Sequence, residues 1–248
     1  MDKPKLRKEE TTFLSGPLSR MAELRYCAAT VIQFVKGFRA LHFTGPCVTV
    51  FGSARFGETS TYYGKARDIS FKLSKAGMSI MTGGGPGLME AANRGARDAG
   101  GISLGCNIAL PNEQRPNSYL DKYINIEFFF VRKELLRKYS VGFVVMPGGF
   151  GTLDEFFETI TLIQTKKIRK FPIALVGIDY HKNLISHING MAESNAISQE
   201  DKDLIVFTDS IDEAVNHILK YADENLSRYY KYKPNPLLGE NSVQLKAN

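Results

Sequence analysis

The amino-acid sequence predicts a single α/β domain built on a doubly wound parallel sheet flanked by helices, with an extra helix at the N-terminal end. Three observations carry that expectation. Short β-rich apolar runs alternate with helix-length segments from residue 47 onwards. The runs are apolar throughout rather than at every second position, and glycine-rich turns stand where strands give way to helices. Strands apolar on both faces need cover on both faces, which a parallel sheet wound with helices provides.

The elements follow in order. Leu18–His42 reads as a helix, because Met21, Leu24, Ala28, Val31, Val35 and Phe38 step by three and four along one face, and Thr44-Gly45-Pro46 stops it. Strands are expected at Cys47–Phe51, Met78–Met81, Ile102–Ile108, Val141–Met146, Ile173–Val176 and Leu204–Phe207, with Tyr123–Phe130 a shorter candidate. Helices are expected at Thr59–Ala76, Gly87–Ala99, Val131–Tyr139, Thr152–Gln164, Lys182–Ala192 and Ile211–Asn225. This alternation is Rossmann-like. It divides the chain into a helical extension (1–44), a Rossmann-like domain (45–227) and a basic C-terminal arm (228–248) that reads as extended or disordered.

Composition narrows the class. With 248 residues, 43% hydrophobic and 23% charged, the chain fits an ordinary globular protein with a real core. No window approaches a membrane span, and Met1-Asp2-Lys3-Pro4-Lys5 lacks the apolar stretch of a secretory signal. Cys27, Cys47 and Cys106 have neither disulfide nor zinc spacing, and His42, His181, His187 and His217 show no ligand spacing. A cytoplasmic setting without metal is therefore expected. The formal charge of +6 invites a nucleic-acid reading, but residues 1–44 carry net +4, residues 228–248 net +3 and residues 45–227 net −1. The surplus sits on the ends rather than as a basic stripe on a folded element, so no nucleic-acid partner is expected.

Ligands of open parallel sheets bind beyond the carboxyl ends of the strands. Three such ends are glycine-rich: Phe51-Gly52-Ser53-Ala54-Arg55 after the first strand, Thr82-Gly83-Gly84-Gly85-Pro86-Gly87-Leu88-Met89-Glu90 after the second, and Met146-Pro147-Gly148-Gly149-Phe150-Gly151-Thr152-Leu153-Asp154-Glu155 later. Glycine lets backbone N–H groups close on an anion, and a following helix N-terminus adds partial positive charge. Thr152 adds a hydroxyl. Two such turns on one crevice point to a phosphorylated small molecule. Neither turn is a dinucleotide fingerprint and no P-loop is present, so redox and nucleoside-triphosphate chemistry are disfavoured. Tight strand-to-helix turns are the bland alternative for the glycines, and a solvated helix is the bland alternative for Val131-Arg132-Lys133-Glu134.

Together, Gly83–Ala92, then Arg132-Lys133, then Pro147–Glu155 resemble the LOG ("Lonely Guy") family of phosphoribohydrolases over residues 45–222. Leu110-Pro111-Asn112-Glu113-Gln114 is similar to its longer bacterial branch. Where many short members carry Ser-Asp after the Arg-Lys helix, Ser140 is followed here by Val141, so base preference does not carry over. The resemblance implies hydrolysis of the N-glycosidic bond of a nucleoside 5′-monophosphate, AMP or a cytokinin riboside 5′-monophosphate, to free base and ribose 5-phosphate. It implies Arg132 and Glu155 as the catalytic pair, without metal or organic cofactor. Substrate contacts are expected from Gly52, Ser53, Gly83, Gly84, Gly85, Gly87, Met89, Gly148, Gly149, Gly151 and Thr152, with Glu90, Glu113 and Lys133 in second rank. A homodimer is expected from the apolar stripe of the N-terminal helix and from the resemblance. The alternative from another class is a non-catalytic nucleotide-binding or carrier protein using the same crevice. Similar sequences have been labelled lysine decarboxylases, but no lysine here has a recognisable site for a pyridoxal phosphate Schiff base.

Overall fold

The computed structural model of the chain describes residues 13–109, 116–168, 172–203, 205–222 and 234–235. A seven-stranded sheet runs through it, composed of β1 (Cys47–Phe51), β2 (Ser79–Thr82), β3 (Ser103–Ile108), β4 (Lys122–Ile126), β5 (Ser140–Val145), β6 (Ile173–Val176) and β7 (Ile205–Thr208). All neighbours pair in parallel, in the order β4-β3-β2-β1-β5-β6-β7. The chain builds outwards from β1 to β4, then returns to the other side of β1 and builds outwards again. The order therefore reverses between β1 and β5, and a crevice opens there at their carboxyl ends.

Both faces are covered. Helices α1 (Arg20–Leu41), α4 (Phe129–Lys138), α5 (Phe150–Gln164) and α6 (Ile178–Glu193) lie on one, and α2 (Thr61–Lys75), α3 (Leu88–Asp98) and α8 (Ile211–Ala222) on the other. A short helix, α7 (Gln199–Lys202), precedes β7 and is closed by a capping box between Ser198 and Asp201. Successive residues of β1 divide between the two cores: Cys47 and Phe51 join the cluster of Leu135, Phe143 and Phe156, and Val48 and Val50 that of Ile69, Leu73 and Ile218. Such two-sided burial is why the strand is apolar without alternation.

Three expectations change in detail. The Tyr123–Phe130 run splits, its first part forming β4 and its last two residues opening α4, with Phe128 as the extended residue between them. Helix α6 starts at Ile178, four residues ahead of the expected Lys182, because Gly177 takes a left-handed φ of 100° that releases the chain from β6 directly into the helix. Helix α1 packs on α4 and β4 through Tyr26, Ala29, Gln33, Phe34, Gly37, Ala40 and Leu41. The periodic stripe predicted from sequence faces the other way: Met21, Leu24, Val31, Val35 and Phe38 are exposed, together with Ile32. Among the described residues no helix is long and apolar enough to cross a membrane. The terminal arm lies outside the described residues apart from Pro234 and Asn235.

Candidate active site

The turns after β1 and β2 interlock before any ligand arrives. Gly87 has a φ of 69°, and a Cβ there would stand 2.5 Å from the Ser53 carbonyl oxygen and 2.7 Å from the Ala54 carbonyl carbon. The Leu88 N–H donates to that Ser53 carbonyl at 3.0 Å, and the Ser53 N–H donates to the Pro147 carbonyl at 2.9 Å. Ser53 Oγ accepts the Arg55 N–H at 3.1 Å. The first turn is thus fastened to both of its neighbours.

Beneath the second turn lies a buried polar network. The Thr82 hydroxyl donates to Asn93 Oδ1 (2.7 Å) and accepts the Gly84 N–H (2.9 Å). Asn117 Nδ2 donates to Asn93 Oδ1 and to the Gly85 carbonyl, both at 3.0 Å, and Asn93 Nδ2 donates to Ser103 Oγ at 2.9 Å. Thr82, Asn93 and Ser103 are wholly buried. A fully satisfied buried network of this kind fixes one backbone path.

The crevice has a volume of about 710 Å³ and is lined by the first turn (Gly52 to Phe56), Phe51, Met89, Arg132, the start of α5 (Gly149 to Thr152) and Tyr180. At its rim the Phe150 side chain is almost fully exposed. No side chain caps α5, whose N-cap is Gly149, and its first turn holds no acidic residue. The leading N–H groups of that helix, without intrahelical acceptors by geometry, are left for a ligand. Tyr180 packs edge-on to Phe56 at 6.0 Å and donates from its hydroxyl to the Gly148 carbonyl at 3.1 Å, bracing the turn.

Arg132, on the first turns of α4, reaches into this crevice. Its Nε donates to the Cys106 carbonyl in β3 (2.9 Å), and its Nη1 lies 3.5 Å from Glu155 Oε1. Gly83 makes the space: a Cβ there would stand 2.7 Å from Arg132 Nη2 and 2.8 Å from Met89 Sδ. Glu155 sits behind the guanidinium, 1% exposed, and among the described residues neither of its oxygens has a hydrogen-bond donor. Burial pushes its carboxyl up from 4.5 to about 7, while Arg132, Lys133 and Arg137 pull the other way. The desolvation of an almost inaccessible carboxylate outweighs three cations, only one of which touches it. The result is a carboxyl poised between its two protonation states near neutral pH.

The sequence-derived residues thus divide. Gly52, Ser53, Met89, Arg132, Gly149, Gly151 and Thr152 line the crevice, and Glu155 backs it. Gly83, Gly84, Gly85 and Gly87 are not on its wall; they shape the second turn around Arg132, the first turn and the asparagine network. Gly148 supports the wall through its carbonyl. Glu90 accepts a hydrogen bond from the Tyr63 hydroxyl at 3.2 Å, outside the lining. Lys133 does not close over the crevice beside Arg132. Its ammonium is held 2.9 Å from Asp154 and 2.6 Å from Glu158, because successive helical residues point to different sides. Glu113 lies outside the described residues.

Reasoning from sequence missed Arg55, Phe56, Phe150 and Tyr180. Arg55 closes the first glycine-rich turn, Phe56 directly follows it, and Phe150 lies inside another. Tyr180 carries no local signal. Among the described residues no group of three or more His, Cys, Asp or Glu is placed to hold a metal ion.

Known proteins share this architecture. A molybdenum cofactor binding protein from the phototrophic bacterium Rippkaea orientalis superposes with a TM-score of 0.55 at 21% identity, covering 71% of this chain and 96% of that one. The Moco carrier protein from Chlamydomonas reinhardtii gives 0.52 at 21% identity, covering 73% and 99%. Both likenesses concern the fold alone. Among curated proteins, the cytokinin riboside 5′-monophosphate phosphoribohydrolase LOG3 of Arabidopsis thaliana is 29% identical over 181 residues, 71% of this chain and 82% of that protein. The phosphoribohydrolase LOG of Oryza sativa subsp. japonica is 26% identical over 194 residues, 76% and 78%. A family model described as "possible lysine decarboxylase" matches residues 89–218, just over half of the chain and the stretch that holds Met89, Arg132 and the whole α5 turn. With that match, its LOG-type relatives and the fold in agreement, the chain belongs to the LOG family.

Proposed function

We propose that the protein hydrolyses the N-glycosidic bond of a nucleoside 5′-monophosphate, releasing the free base and ribose 5-phosphate. The observation that carries this is the buried Arg132–Glu155 pair, 3.5 Å apart, on a crevice whose other wall is an uncapped helix N-terminus. The names of the LOG relatives point to the same reaction class.

The chemistry needs few groups. As the bond from ribose C1′ to the base nitrogen breaks, its electron pair leaves with the base and positive charge develops on the sugar. Water supplies the oxygen that ends on C1′ and the protons that balance base and hydroxyl. Glu155, in its ionised form, opposes the oxocarbenium charge and helps activate that water, as carboxylates do in glycoside hydrolysis. Arg132 holds the carboxylate in place and positions the substrate. The α5 N–H groups and Thr152 hold the phosphate, so that binding energy remote from the broken bond orients the sugar. AMP and cytokinin riboside 5′-monophosphates are the proposed substrates.

Incubation with AMP, other nucleoside monophosphates and an isopentenyladenine riboside monophosphate tests this directly. Release of base and ribose 5-phosphate, lost in Glu155→Gln, is the expected result. Tight binding of a monophosphate without release would favour a carrier and overturn the hydrolase.

We further infer that two copies pair through the exposed face of α1, where Met21, Leu24, Val31, Ile32, Val35 and Phe38 leave a contiguous apolar stripe in water. A cytoplasmic setting accompanies this proposal, since Cys27, Cys47 and Cys106 are all free thiols.

A further inference from the structure

The cations around the crevice are not equally available. Arg132 is committed to the Cys106 carbonyl and Glu155, and Lys133 to Asp154 and Glu158. Arg137 is paired with Glu134 at 2.6 Å and Glu158 at 2.8 Å. Arg55 differs. It lines the crevice, its side chain is exposed, and it forms no ion pair or hydrogen bond through its guanidinium among the described residues.

Its backbone, by contrast, is held firmly. The turn that carries it is tied to Pro147, to Leu88 and to the Ser53 hydroxyl, and Gly87 fits beneath it with no room for a side chain. An unpaired guanidinium on a rigid turn is a group kept for something that arrives. The wall it shares with Arg132 contains no carboxylate, and the α5 start on that wall lacks acidic residues in its first turn. A free cation and an uncapped helix N-terminus bordering one cavity, with no carboxylate among the described residues to satisfy either, make a site for a dianion.

We propose that Arg55 is the phosphate clamp of the crevice, binding the 5′-phosphate of the substrate together with the α5 N-terminus and thereby selecting monophosphates over nucleosides. This rests on the nucleoside monophosphate reading above and adds to it the residue that discriminates by charge. Arg132 then acts at the sugar and base, and Arg55 at the other end of the ligand.

The test is equilibrium binding by calorimetry of AMP, ribose 5-phosphate and adenosine to protein with wild-type Arg55, Arg55→Ala and Arg55→Lys, each also carrying Glu155→Gln so that AMP is not consumed, with thermal melting as a check on folding. Loss of one charge-assisted contact predicts AMP and ribose 5-phosphate binding weakened by about 10- to 100-fold in Arg55→Ala, with adenosine unchanged. Arg55→Lys, which keeps the charge but not the planar fork, is expected between the two. An AMP affinity within about twofold of the protein that keeps Arg55 overturns the assignment, as does an equal weakening of adenosine or a protein with Arg55 that does not bind ribose 5-phosphate. Phosphate-selective binding that depends on Arg55, in a protein whose wild type releases no base, refutes the hydrolase and leaves the clamp standing.

Discussion

Replacing Glu155 with glutamine is expected to inactivate the protein and to stabilise it at the same time. The wild-type carboxyl titrates at 4.5 when unfolded and at about 7 in the native state, because burial disfavours its charge more than Arg132, Lys133 and Arg137 favour it. Between those values the native protein holds a proton that the unfolded chain has released. The associated stability is fully present below pH 4.5, declines as pH rises through the window, and is lost above about pH 7. The interval corresponds to about 3 kcal/mol. Glutamine is neutral throughout and keeps the shape of the protonated acid, so Glu155→Gln escapes the decline.

Urea unfolding of both proteins at pH 4.5 and pH 8 measures the difference. Near-equal stability is expected at the lower pH, and a gain for the variant of about 3 kcal/mol at the higher, or roughly 6–12 °C in melting temperature. If the variant is no more stable than wild type at pH 8, the carboxylate is better solvated or better paired than its surroundings indicate, and the account of its poise is wrong. Activity should run the other way. If the ionised form is the working one, kcat/KM rises with pH to a plateau above about 7.

Arg132→Lys should retain little turnover, losing about 100-fold or more in kcat, since a compact ammonium does not reproduce the fixed fork by which Nε holds the Cys106 carbonyl while Nη1 faces Glu155; steady-state kinetics on AMP checks this. Asn93→Leu should destabilise the protein by about 2–4 kcal/mol in urea unfolding, as it strands the Thr82 hydroxyl, Ser103 and Asn117 in a wholly buried place. Val31→Glu with Val35→Glu, two exposed positions on α1, should convert a dimer into a folded monomer by light scattering at micromolar concentration. A wild-type protein that is already monomeric there removes the dimer.

The layered α/β plan was legible because it is written locally. Val48, Val50, Val144 and Val145 are apolar on both sides of a strand, and stretches such as Thr61–Lys75 have helical periodicity between them. Strand order was not legible, for no local pattern says that β5 returns to lie beside β1. The position of the crevice depends on that order. Glu155 stands out in the sequence as a carboxylate one turn beyond the glycine-rich phosphate cradle, whereas spacing alone leaves Arg132 on a solvated helix and only the family resemblance pairs the two, since their approach depends on how α4 and α5 pack. Lys133, expected in second rank, turns to Asp154 and Glu158 instead, because adjacency in sequence does not survive a helical turn of about 100° per residue. The face of α1 misleads in a different way: its best periodic stripe points to water, while Gln33 and Gly37, which look poor for a core, are buried. Asn93 and Asn117 went unnoticed, although a buried asparagine on the apolar face of α3 is the type of exception that marks a tied-down turn.

The reversal of strand order has a consequence for how the site comes into being. Strands β1 to β4 and helix α4 are complete by residue 138, and they carry Gly52, Arg55 and Arg132. Glu155, Thr152 and the α5 start belong wholly to the second stretch, which opens at Ser140. Neither stretch has a working crevice alone, and the seam between them is the β1–β5 pairing, from Cys47 against Ser140 to Phe51 against Val145. The proposed turnover would therefore be a readout of that seam. Two fragments divided at the Tyr139–Ser140 boundary would regain activity only by zipping β5 onto β1, which makes the molecule a natural split reporter of its own assembly.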